Sequence, residues 1–372
     1  MENIMTNRLD RGFIKYQKEF EDAAIRVLRS GYYILGKEVE EFEESFASFA
    51  GTKYCVGTGN GLDAITLACR AIGIGKGDEV IVQGNTFIAS VMGITIAGGT
   101  PVFAEPDEYF ALDPDEIEKK ITDKTKAVMV VHLYGQTAQM DKISEICKRH
   151  GLKLIEDCAQ AHGAGFYMEG GDKGFKGVGT FGDIGCFSFY PSKNIGAFGD
   201  GGAVITDSEE YRDRVRQLRN YGSSVRYHNE EVGINSRLDE MQAALLKVRL
   251  EHEEECRLER QQTAAFYDSA INNPLIILPK RRKDATHVFH QYVIRCERRD
   301  ELAEFLKGKG VGTIIHYPIP PHLSKAYEYL GVKKGSLPFT ERLASEVLSI
   351  PMYTGITSEE VRHVADALNA FK

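Results

Sequence analysis

The sequence predicts an α/β protein whose main sheet is largely parallel and is covered by helices. Three observations lead to this class. Short apolar runs alternate with amphipathic stretches from about residue 53 to residue 206, which is the pattern of strands joined by helical crossovers. The length of 372 residues suits two domains, one large and one small. With 42% hydrophobic and 27% charged residues, the chain is typical of globular proteins that bury a sizeable core.

The predicted elements alternate in order along the chain. Because ligands bind beyond the carboxyl ends of parallel strands, the residues that follow each strand become candidates for a site. The predicted strands are Lys53–Gly57, Glu79–Gln83, Pro101–Ala104, Lys126–His132, Leu152–Glu156, Gly185–Phe189 and Ala203–Thr206. The predicted helices among them and after them are Leu62–Ile72, Ile88–Ala97, Met140–His150, Glu209–Gly222 and the long charged run Asp239–Gln262.

The last third of the chain predicts a smaller α+β domain. A strand at Val288–Cys296 is followed by helices at Arg299–Lys309 and Thr357–Phe371. We therefore expect a large domain over residues 1–254, which includes a helical N-terminal segment, and a small C-terminal domain over residues 255–372.

Charge and cysteine content exclude several classes of protein. The net charge of −8 and the pI near 5.8 argue against a broad basic surface for nucleic acid. The N-terminal sequence MENIMTNRLDRGF lacks the apolar run of a signal peptide, and no apolar stretch approaches the ~20 residues of a membrane span. The seven cysteines are odd in number and include no C-x-x-C pair, so neither disulfides nor a metal site is expected. These features favour a cytoplasmic protein with no membrane contact.

The most informative stretch is Gly185–Val204, with the sequence GCFSFYPSKNIGAFGDGGAV. An apolar strand ends before Pro191, and a single lysine, Lys193, follows it. Glycines at positions 196, 199, 201 and 202 allow the backbone to approach a ligand closely. Most loop lysines are solvated surface charges. A lysine aimed into a crevice loses solvent, which lowers its pKa and lets it form an imine with an aldehyde.

A second stretch, Leu152–Ala164, has the sequence LKLIEDCAQAHGA and ends a predicted strand at Glu156 and Asp157. A carboxylate in a crevice requires a cationic partner. In a pyridoxal phosphate enzyme the partner is the pyridine nitrogen, which an aspartate keeps protonated so that the ring withdraws electrons. Asp157 alone is equally typical of a helix cap or an ion pair. Its combination with Lys193 favours a pyridoxal phosphate site.

Two further turns supply candidates. The sequence GTGNGLD begins at Gly57 and lies between a strand and a helix. There Asn60 can cap the helix, and the amides of Gly61 and Leu62 then point at a phosphate, although a plain glycine-rich turn explains the same residues. The G-x-G-x-G spacing differs from the dinucleotide fingerprint, which disfavours a dehydrogenase.

In GNTFIAS, Phe87 follows a strand and either stacks on a flat ring or belongs to the core.

Taken together, these stretches resemble the nucleotide-sugar aminotransferases of the DegT/StrS group, which have the fold type I aminotransferase architecture. The resemblance runs from about residue 10 to the C-terminus. Further matching segments are SGYYILG (Ser30–Gly36), GINSRLDEMQAALL (Gly233–Leu246), HVFHQYVIR (His287–Arg295) and IHYPIPPH (Ile315–His322).

The resemblance implies a role for each matching residue. The cofactor would be pyridoxal 5′-phosphate, bound by Lys193 as an imine, and the same lysine would then move the proton to the substrate carbon. Asp157 would pair with the pyridine nitrogen, and a homodimer would share its active sites. Further cofactor-binding residues would be Gln160 beside the ring or its O3′, Phe87 on the ring face, Gly61, Leu62 and Ser188 at the phosphate, and Asn235 at the neighbouring subunit's phosphate. Substrate-binding residues would be Tyr32, Tyr33, Tyr221, His316 and Tyr317.

The motif around the lysine narrows the reaction. Family members that aminate 3-keto sugars resemble SFYPxKNLGAxGDGG there, and residues 188–202 fit that pattern. The resemblance implies ping-pong transfer of an amino group from L-glutamate to C3 of a dTDP-3-keto-6-deoxyhexose. The product, a dTDP-3-amino-3,6-dideoxyhexose, would serve lipopolysaccharide, S-layer or other glycan biosynthesis.

Two alternatives remain from the sequence. A 4-keto aminotransferase or a dehydratase would keep the fold and cofactor, although dehydratases of this family typically replace the lysine with histidine. A non-catalytic regulator would often lose the lysine or gain a DNA-binding module, and neither is seen. The loop Tyr167–Gly179 is a few residues longer than usual and lies between two strands near the expected site.

Overall fold

The computed structural model describes residues 3–168 and 174–372 and has the predicted α/β architecture. The strands are β1 Tyr54–Thr58, β2 Glu79–Gln83, β3 Thr100–Ala104, β4 Thr125–Val131, β5 Lys153–Asp157, β6 Gly165–Tyr167, β7 Phe175–Gly177, β8 Ile184–Ser188, β9 Gly202–Thr206, β10 Ser223–Val225, β11 His228–Asn229, β12 Tyr292–Arg295 and β13 Val347–Ile350. The α-helices are α1 Leu9–Lys15, α2 Gln17–Ser30, α3 Lys37–Ala50, α4 Gly61–Ala71, α5 Ile88–Ile96, α6 Pro114–Ile117, α7 Met140–His150, α8 Glu209–Leu218, α9 Glu240–Glu251, α10 Glu253–Ala270, α11 Arg299–Gly308, α12 Pro338–Glu346 and α13 Ser358–Asn369.

The central sheet has seven strands in the order β1–β9–β8–β5–β4–β2–β3. Strand β9 is antiparallel to both of its neighbours, and the other pairings are parallel. Six strands therefore end at the same edge of the sheet, where the loops that follow them meet. The prediction of a mainly parallel seven-stranded sheet is confirmed.

Alternating residues of the strands build the core on both faces of the sheet. In β2, Val80 and Val82 join the apolar cluster that contains residues of α4 and α5. Ile81, which lies between them, joins a separate cluster with Ile143 of α7. A strand buried on both faces reads as a continuous apolar run, which explains why these strands stood out in the sequence.

The long helical run predicted over Asp239–Gln262 is two helices, α9 and α10, that meet at His252. The His252 ring stacks on Tyr16 with centroids 3.8 Å apart, and its Nε2 lies 2.8 Å from a Glu19 carboxylate oxygen. The break thus follows from contacts with the N-terminal helices, which no local pattern reveals.

Two other predicted elements are shorter than expected. The helix predicted to reach Gly222 ends at Leu218, because Tyr221 and Gly222 adopt left-handed backbone conformations with φ of 62° and 70°. The strand predicted over Val288–Cys296 is reduced to β12, because Phe289 has φ of 47° and its ring stacks on His287. In each region an aromatic residue, Tyr221 or Phe289, adopts a left-handed backbone conformation that the sequence pattern does not indicate.

The C-terminal region has its own apolar cluster, in which residues of α10, α11 and α13 pack around the antiparallel β12–β13 pair. Ile4 joins this cluster, while α2 packs on α9. The N-terminal segment thus contacts both parts of the chain, and the boundary after residue 254 stays a prediction. Several elements were not predicted, among them α3, α6, α12, β13 and the short strands β6, β7, β10 and β11. Val39, Phe42 and Phe46 of α3 nevertheless have helical spacing.

The predicted long loop Tyr167–Gly179 falls partly outside the described residues, which omit 169–173. On either side of that gap, β6 and β7 form an antiparallel pair. Within the described ranges, no helix combines the length and the apolar character that crossing a bilayer requires.

Candidate active site

The loop after β8 positions Lys193 at the carboxyl edge of the sheet. Its backbone N–H donates to Tyr190 O at 2.8 Å, which closes a turn directly after the strand. A Cβ on Gly196 would collide with the carbonyl oxygen of Pro191, so this turn requires a residue without a side chain. The sequence prediction that a strand end presents a single lysine here agrees with the geometry.

Burial lowers the pKa of Lys193 to about 8, and the nearby Asp157 carboxylate partly opposes this change. Desolvation disfavours the charged ammonium, so a larger fraction of the amine is neutral near neutral pH than for a solvated lysine. A neutral amine is the form that attacks an aldehyde carbon. The lysine is therefore suited to covalent chemistry.

Asp157, the last residue of β5, is 4% exposed. Its Oδ2 accepts a hydrogen bond from Ser90 Oγ at 2.7 Å, and its Oδ1 accepts one from the Ala159 N–H at 3.1 Å. Burial raises the pKa of this carboxyl, whereas these hydrogen bonds and the charge of Lys193 lower it. A buried carboxylate held this way is suited to a cationic ring nitrogen, which would lower its pKa further.

The turn after β1 forms a cradle for an anion. Asn60 caps α4 by accepting from the Asp63 N–H at 2.8 Å. The amides of Gly61 and Leu62 precede the first intrahelical bond and stay available to a ligand at the positive end of the helix. A Cβ on Gly61 would lie 2.5 Å from Ser188 Cβ, so the glycine lets the helix start and the end of β8 come together.

Gln160 and Tyr317 lie in one hydrogen-bonded group with Tyr134. Gln160 Oε1 accepts from the Tyr134 N–H at 2.7 Å, and its Nε2 donates to Tyr317 Oη at 3.1 Å. The ring of Tyr317 lies 5.0 Å from that of Phe87, centroid to centroid. Phe87 is 48% exposed, as expected for a ring that covers a ligand rather than one in the core.

His316 is fixed by the C-terminal region. Its Nδ1 lies 2.8 Å from Ser349 Oγ, and its Nε2 lies 3.1 Å from Gln291 Nε2. Burial, with a smaller contribution from Lys193, lowers the pKa of His316 to about 4. The imidazole is therefore neutral at physiological pH.

Four of the predicted residues, Tyr32, Tyr33, Tyr221 and Asn235, are exposed in the single chain. In the residues that the structure describes, no hydrogen bond or ring contact joins Tyr32, Tyr33, Tyr221 or Asn235 to Lys193 or Asp157. Asn235 is exposed and pairs with Asn220, while Tyr221 is 51% exposed.

Beneath Asp157, a cluster of His132, Glu156 and Cys158 brings three possible ligand atoms within 4.8 Å of one another. Glu156 accepts hydrogen bonds from three backbone amides of the 179–182 turn, each at 2.7 Å, and lies 3.0 Å from His132 Nε2. Because these donors already satisfy the carboxylate, the cluster ties β5 to the neighbouring turn.

Three residues of this region were missed from the sequence. Ser90 supports Asp157, Tyr134 holds Gln160, and Glu240 accepts backbone N–H groups at the start of α3. Tyr134 lies just beyond the end of β4, a position that made other residues candidates, and Ser90 lies in the first turn of α5, at the end of the GNTFIAS stretch. For Glu240, no local signal distinguishes it from the other acidic residues of its charged helix.

Comparison with known proteins identifies the family. The model of the DegT/DnrJ/EryC1/StrS aminotransferase family matches residues 15–369. The chain belongs to this family. Its relatives include dTDP-3-amino-3,6-dideoxy-alpha-D-galactopyranose transaminase of Aneurinibacillus thermoaerophilus, which is 49% identical over 96% of each chain. The dTDP-3-amino-3,4,6-trideoxy-alpha-D-glucose transaminase of Streptomyces venezuelae is 45% identical over 97% of this chain and 94% of its own.

Solved structures agree with the family and the fold. A crystal structure of S. venezuelae DesV in complex with a ketimine intermediate has a TM-score of 0.95 and 44% identity, covering 99% of this chain and 98% of that one. Membership of this family makes the chain an aminotransferase that depends on pyridoxal phosphate. The sequence predictions of family, fold, enzyme class and cofactor are confirmed.

The residues of the site fit this cofactor. A lysine of lowered pKa, a buried carboxylate and free amides at a helix start match its aldehyde, its ring nitrogen and its phosphate, respectively. These features come from the ends of β1, β5 and β8, which the sheet places side by side with β9.

Proposed function

We propose that this aminotransferase moves an amino group from L-glutamate to C3 of a dTDP-3-keto-6-deoxyhexose and yields a dTDP-3-amino-3,6-dideoxyhexose. The observation that carries the proposal is the placement of Lys193 and Asp157 at neighbouring strand ends, in a chain that is 45–49% identical to two dTDP-3-amino-sugar transaminases. The product would enter the biosynthesis of a surface glycan such as lipopolysaccharide or an S-layer glycan.

Lys193 acts first as the attachment point and then as the base. Bound pyridoxal phosphate supplies an aldehyde and an electron-withdrawing ring. Lys193 Nζ would bind the aldehyde of the cofactor and, as a free amine, would hold the proton taken from the α-carbon of the amino donor and give it back during the transfer. The pKa of about 8 suits this role, because the amine can both lose and accept a proton near neutral pH.

Asp157 and the helix start hold the cofactor. The Asp157 carboxylate pairs with the protonated ring nitrogen, and Ser90 Oγ keeps that carboxylate ionised through its hydrogen bond of 2.7 Å. The amides of Gly61 and Leu62, together with the Ser188 hydroxyl, bind the phosphate. The remaining cofactor contacts in the proposal are Phe87 on the ring face and Gln160 at the ring edge.

The substrate residues in the proposal are Tyr32, Tyr33, Tyr221, His316 and Tyr317. Neutral imidazole and phenol groups suit a sugar, which offers hydroxyl and carbonyl oxygens to hydrogen-bond donors and acceptors. His316 is neutral because burial lowers its pKa to about 4.

A homodimer in the cytoplasm completes the proposal. Asn235 is exposed in the single chain, and the adjoining β10–β11 region exposes two large apolar side chains, Tyr227 at 83% and Val232 at 85%. Such exposure supports a surface that a second copy covers. Asn235 would then bind the phosphate of the partner's cofactor, so that each site needs both chains.

A 4-keto nucleotide-sugar aminotransferase is the alternative. It uses the same cofactor and the same lysine, so it is separated from the proposal only by the position of the new C–N bond. The histidine that 4-keto enzymes more often carry after the phenylalanine is Tyr190 in this chain, which favours the 3-keto substrate.

Product analysis decides between the two reactions. Purified protein would be incubated with pyridoxal phosphate, L-glutamate and synthetic dTDP-3-keto-6-deoxyhexoses of galacto and gluco configuration or, separately, a dTDP-4-keto-6-deoxyhexose, and the products would be examined by NMR. An amino group at C3 is expected. Lys193→Ala should give no product, whereas Lys148→Ala, which changes an exposed lysine of α7, should react like the wild type. An amino group at C4 formed from a dTDP-4-keto-6-deoxyhexose, without reaction of either 3-keto sugar, would overturn the proposal in favour of the alternative.

A further inference from the structure

The direction of one hydrogen bond at the site is fixed by the backbone. Gln160 Oε1 lies 2.7 Å from the backbone nitrogen of Tyr134, which carries a hydrogen and can only donate. The oxygen of the Gln160 amide must therefore face Tyr134, since the reversed amide would place N–H against N–H. The orientation of this side chain is determined by its partner.

As a result, the hydroxyl hydrogen of Tyr317 is available for another hydrogen bond. With its oxygen fixed, Gln160 presents Nε2, which only donates, to Tyr317 Oη at 3.1 Å. Tyr317 Oη is the acceptor in this bond, so its own hydrogen points elsewhere. Over residues 3–168 and 174–372, that hydroxyl donates no hydrogen bond.

The Tyr317 hydroxyl, which carries this proton, lies near other residues of the site. Its ring contacts that of Phe87 at 5.0 Å, and the charge of Asp157 acts on its hydroxyl. Burial, together with that charge, raises the pKa of Tyr317, so the phenol stays protonated throughout the working pH range. The group can therefore serve as a hydrogen-bond donor, but not as a base.

Tyr134 holds both partners in this arrangement. Its N–H fixes Gln160, and its hydroxyl donates to the carbonyl oxygen of His316, the residue before Tyr317. Tyr134 adopts φ of 60°, is 4% exposed and packs on Phe110 with ring centroids 5.1 Å apart. A non-glycine residue in this conformation is uncommon and requires surroundings that hold it.

We propose that Tyr134 is a positioning residue, which sets through Gln160 and His316 the direction in which Tyr317 donates its phenolic hydrogen to an oxygen atom of the reacting molecules. The acceptor is an oxygen that carries negative charge, either the ring oxygen of pyridoxal phosphate or an oxygen of the keto sugar. The inference rests on the proposed function, which already places Tyr317 among the substrate residues.

The test uses the cofactor-loaded enzyme and begins without any sugar. The absorbance of bound pyridoxal phosphate is titrated against pH in the wild type and in Tyr317→Phe. If the cofactor oxygen is the acceptor, the variant titrates at higher pH, because a lost donor destabilises the deprotonated oxygen. Single-turnover half-reactions with glutamate and with the sugar should then both slow, by about tenfold or more, as expected for a hydrogen bond to a charged group.

If the sugar is the acceptor, the titration should be unchanged and only the sugar half-reaction should slow. The inference is overturned if Tyr317→Phe leaves the titration and both half-reactions like those of the wild type. Failure of the proposed function is a separate result, in which the wild type binds the cofactor and reacts with glutamate but aminates no 3-keto sugar. The titration and the glutamate half-reaction need no sugar, so in that case they still test whether the ring oxygen of the cofactor is the acceptor.

The role of Tyr134 is tested by matched tyrosine changes. Tyr134→Phe should change whichever quantity Tyr317→Phe changes, either the pH of the cofactor titration or the rate of a half-reaction. The change should have the same direction and a smaller size, because only the hydrogen bond to His316 is lost. Tyr267→Phe is the control, since Tyr267 is also buried and donates to a backbone carbonyl, Pro351 O, at 2.9 Å. If both variants lose the same thermal stability and neither changes the readout, Tyr134 is only structural and its positioning role is overturned.

Discussion

Ser90 donates its hydroxyl hydrogen to Asp157 Oδ2 at 2.7 Å, from the first turn of α5 to the last residue of β5. Ser90 Oγ also lies 2.7 Å from Thr86 Oγ1, so the serine links the carboxylate to a second hydroxyl. The bond stabilises the ionised form of a buried carboxyl whose pKa burial raises. An ionised Asp157 is what a protonated ring nitrogen requires, so in the proposed site Ser90 would act on the cofactor through Asp157.

Replacing Ser90 with alanine should weaken the hold on the cofactor. Without the hydroxyl, the pKa of Asp157 rises further, and the aspartate becomes protonated at a higher pH than in the wild type. Affinity for pyridoxal phosphate should fall by roughly tenfold, the size expected for a hydrogen bond to a charged group, and more steeply as the pH is lowered. Equilibrium titration of the apoprotein measures this loss. Thr95→Ala, in the same helix, should bind as the wild type does, and a Ser90→Ala protein with unchanged affinity at every pH would contradict the role of Ser90.

Capture of the cofactor should depend on pH through Lys193. Only the neutral amine attacks the aldehyde, and burial lowers the pKa of Lys193 to about 8. The rate of capture by apoprotein should rise with pH below about 8 and level off above it. A solvated lysine, with a pKa of about 10.4, would keep gaining rate up to about pH 10. Stopped-flow absorbance measures the rate, and a rise that continues beyond pH 9 would show that burial does not lower the pKa of this amine.

Covalent attachment at Lys193 needs its own check. Borohydride reduction of the loaded protein should fix the cofactor to one peptide, which mass spectrometry should identify as the peptide that contains Lys193. The Lys193→Ala protein should give no reduced adduct at any pH. An adduct of equal yield on another lysine would refute the assignment.

The close approach of Gly61 to Ser188 predicts that a larger residue at position 61 disturbs the proposed phosphate site. In Gly61→Ala, the new Cβ would lie 2.5 Å from Ser188 Cβ, so the helix start and the strand end must move apart. Overpacking of this kind costs roughly 1–3 kcal/mol, and we expect cofactor affinity to fall by about tenfold or more. Gly308→Ala is the matched control, because nothing lies within 4 Å of its added Cβ. Equal affinities for the two variants would remove Gly61 from the phosphate site.

The sequence predicts the sheet and the site residues that belong to local motifs. Every predicted strand of the central sheet lies within one residue of its observed bounds, because a strand buried on both faces is a continuous apolar run. Asp157, Lys193 and Gly61 stand out because each follows such a run. Their nearness to one another then follows from the parallel order of the strands.

Contacts between distant parts of the chain explain what the sequence does not predict. Ser90 and Asp157 are 67 residues apart, and neither one indicates the other. The break at His252 depends on Tyr16, and the shortened strand at Phe289 depends on a left-handed backbone conformation. Packing between distant segments determines both of these features and overrides local propensity.

Glu240 provides a last prediction, because its carboxylate caps a helix from a distant segment. Glu240 is 3% exposed, and it accepts hydrogen bonds from the N–H groups of Gly36 at 2.7 Å, Glu38 at 3.0 Å and Val39 at 3.1 Å. These are the unpaired amides at the start of α3, directly after the segment that contains Tyr32 and Tyr33.

In Glu240→Gln, one amide oxygen remains, but the new NH₂ group faces backbone N–H donors. We expect the free energy of unfolding to fall by about 1–3 kcal/mol, the cost of leaving a buried donor unsatisfied, as measured by urea denaturation. Because the tyrosine segment loses its anchor, the KM for the nucleotide sugar should rise while cofactor affinity stays constant. Glu254→Gln, at an exposed position of α10, should change neither quantity. A raised KM with normal stability would mean that Glu240 contacts the substrate itself, whereas lower stability with an unchanged KM would mean that the tyrosine segment does not bind the sugar.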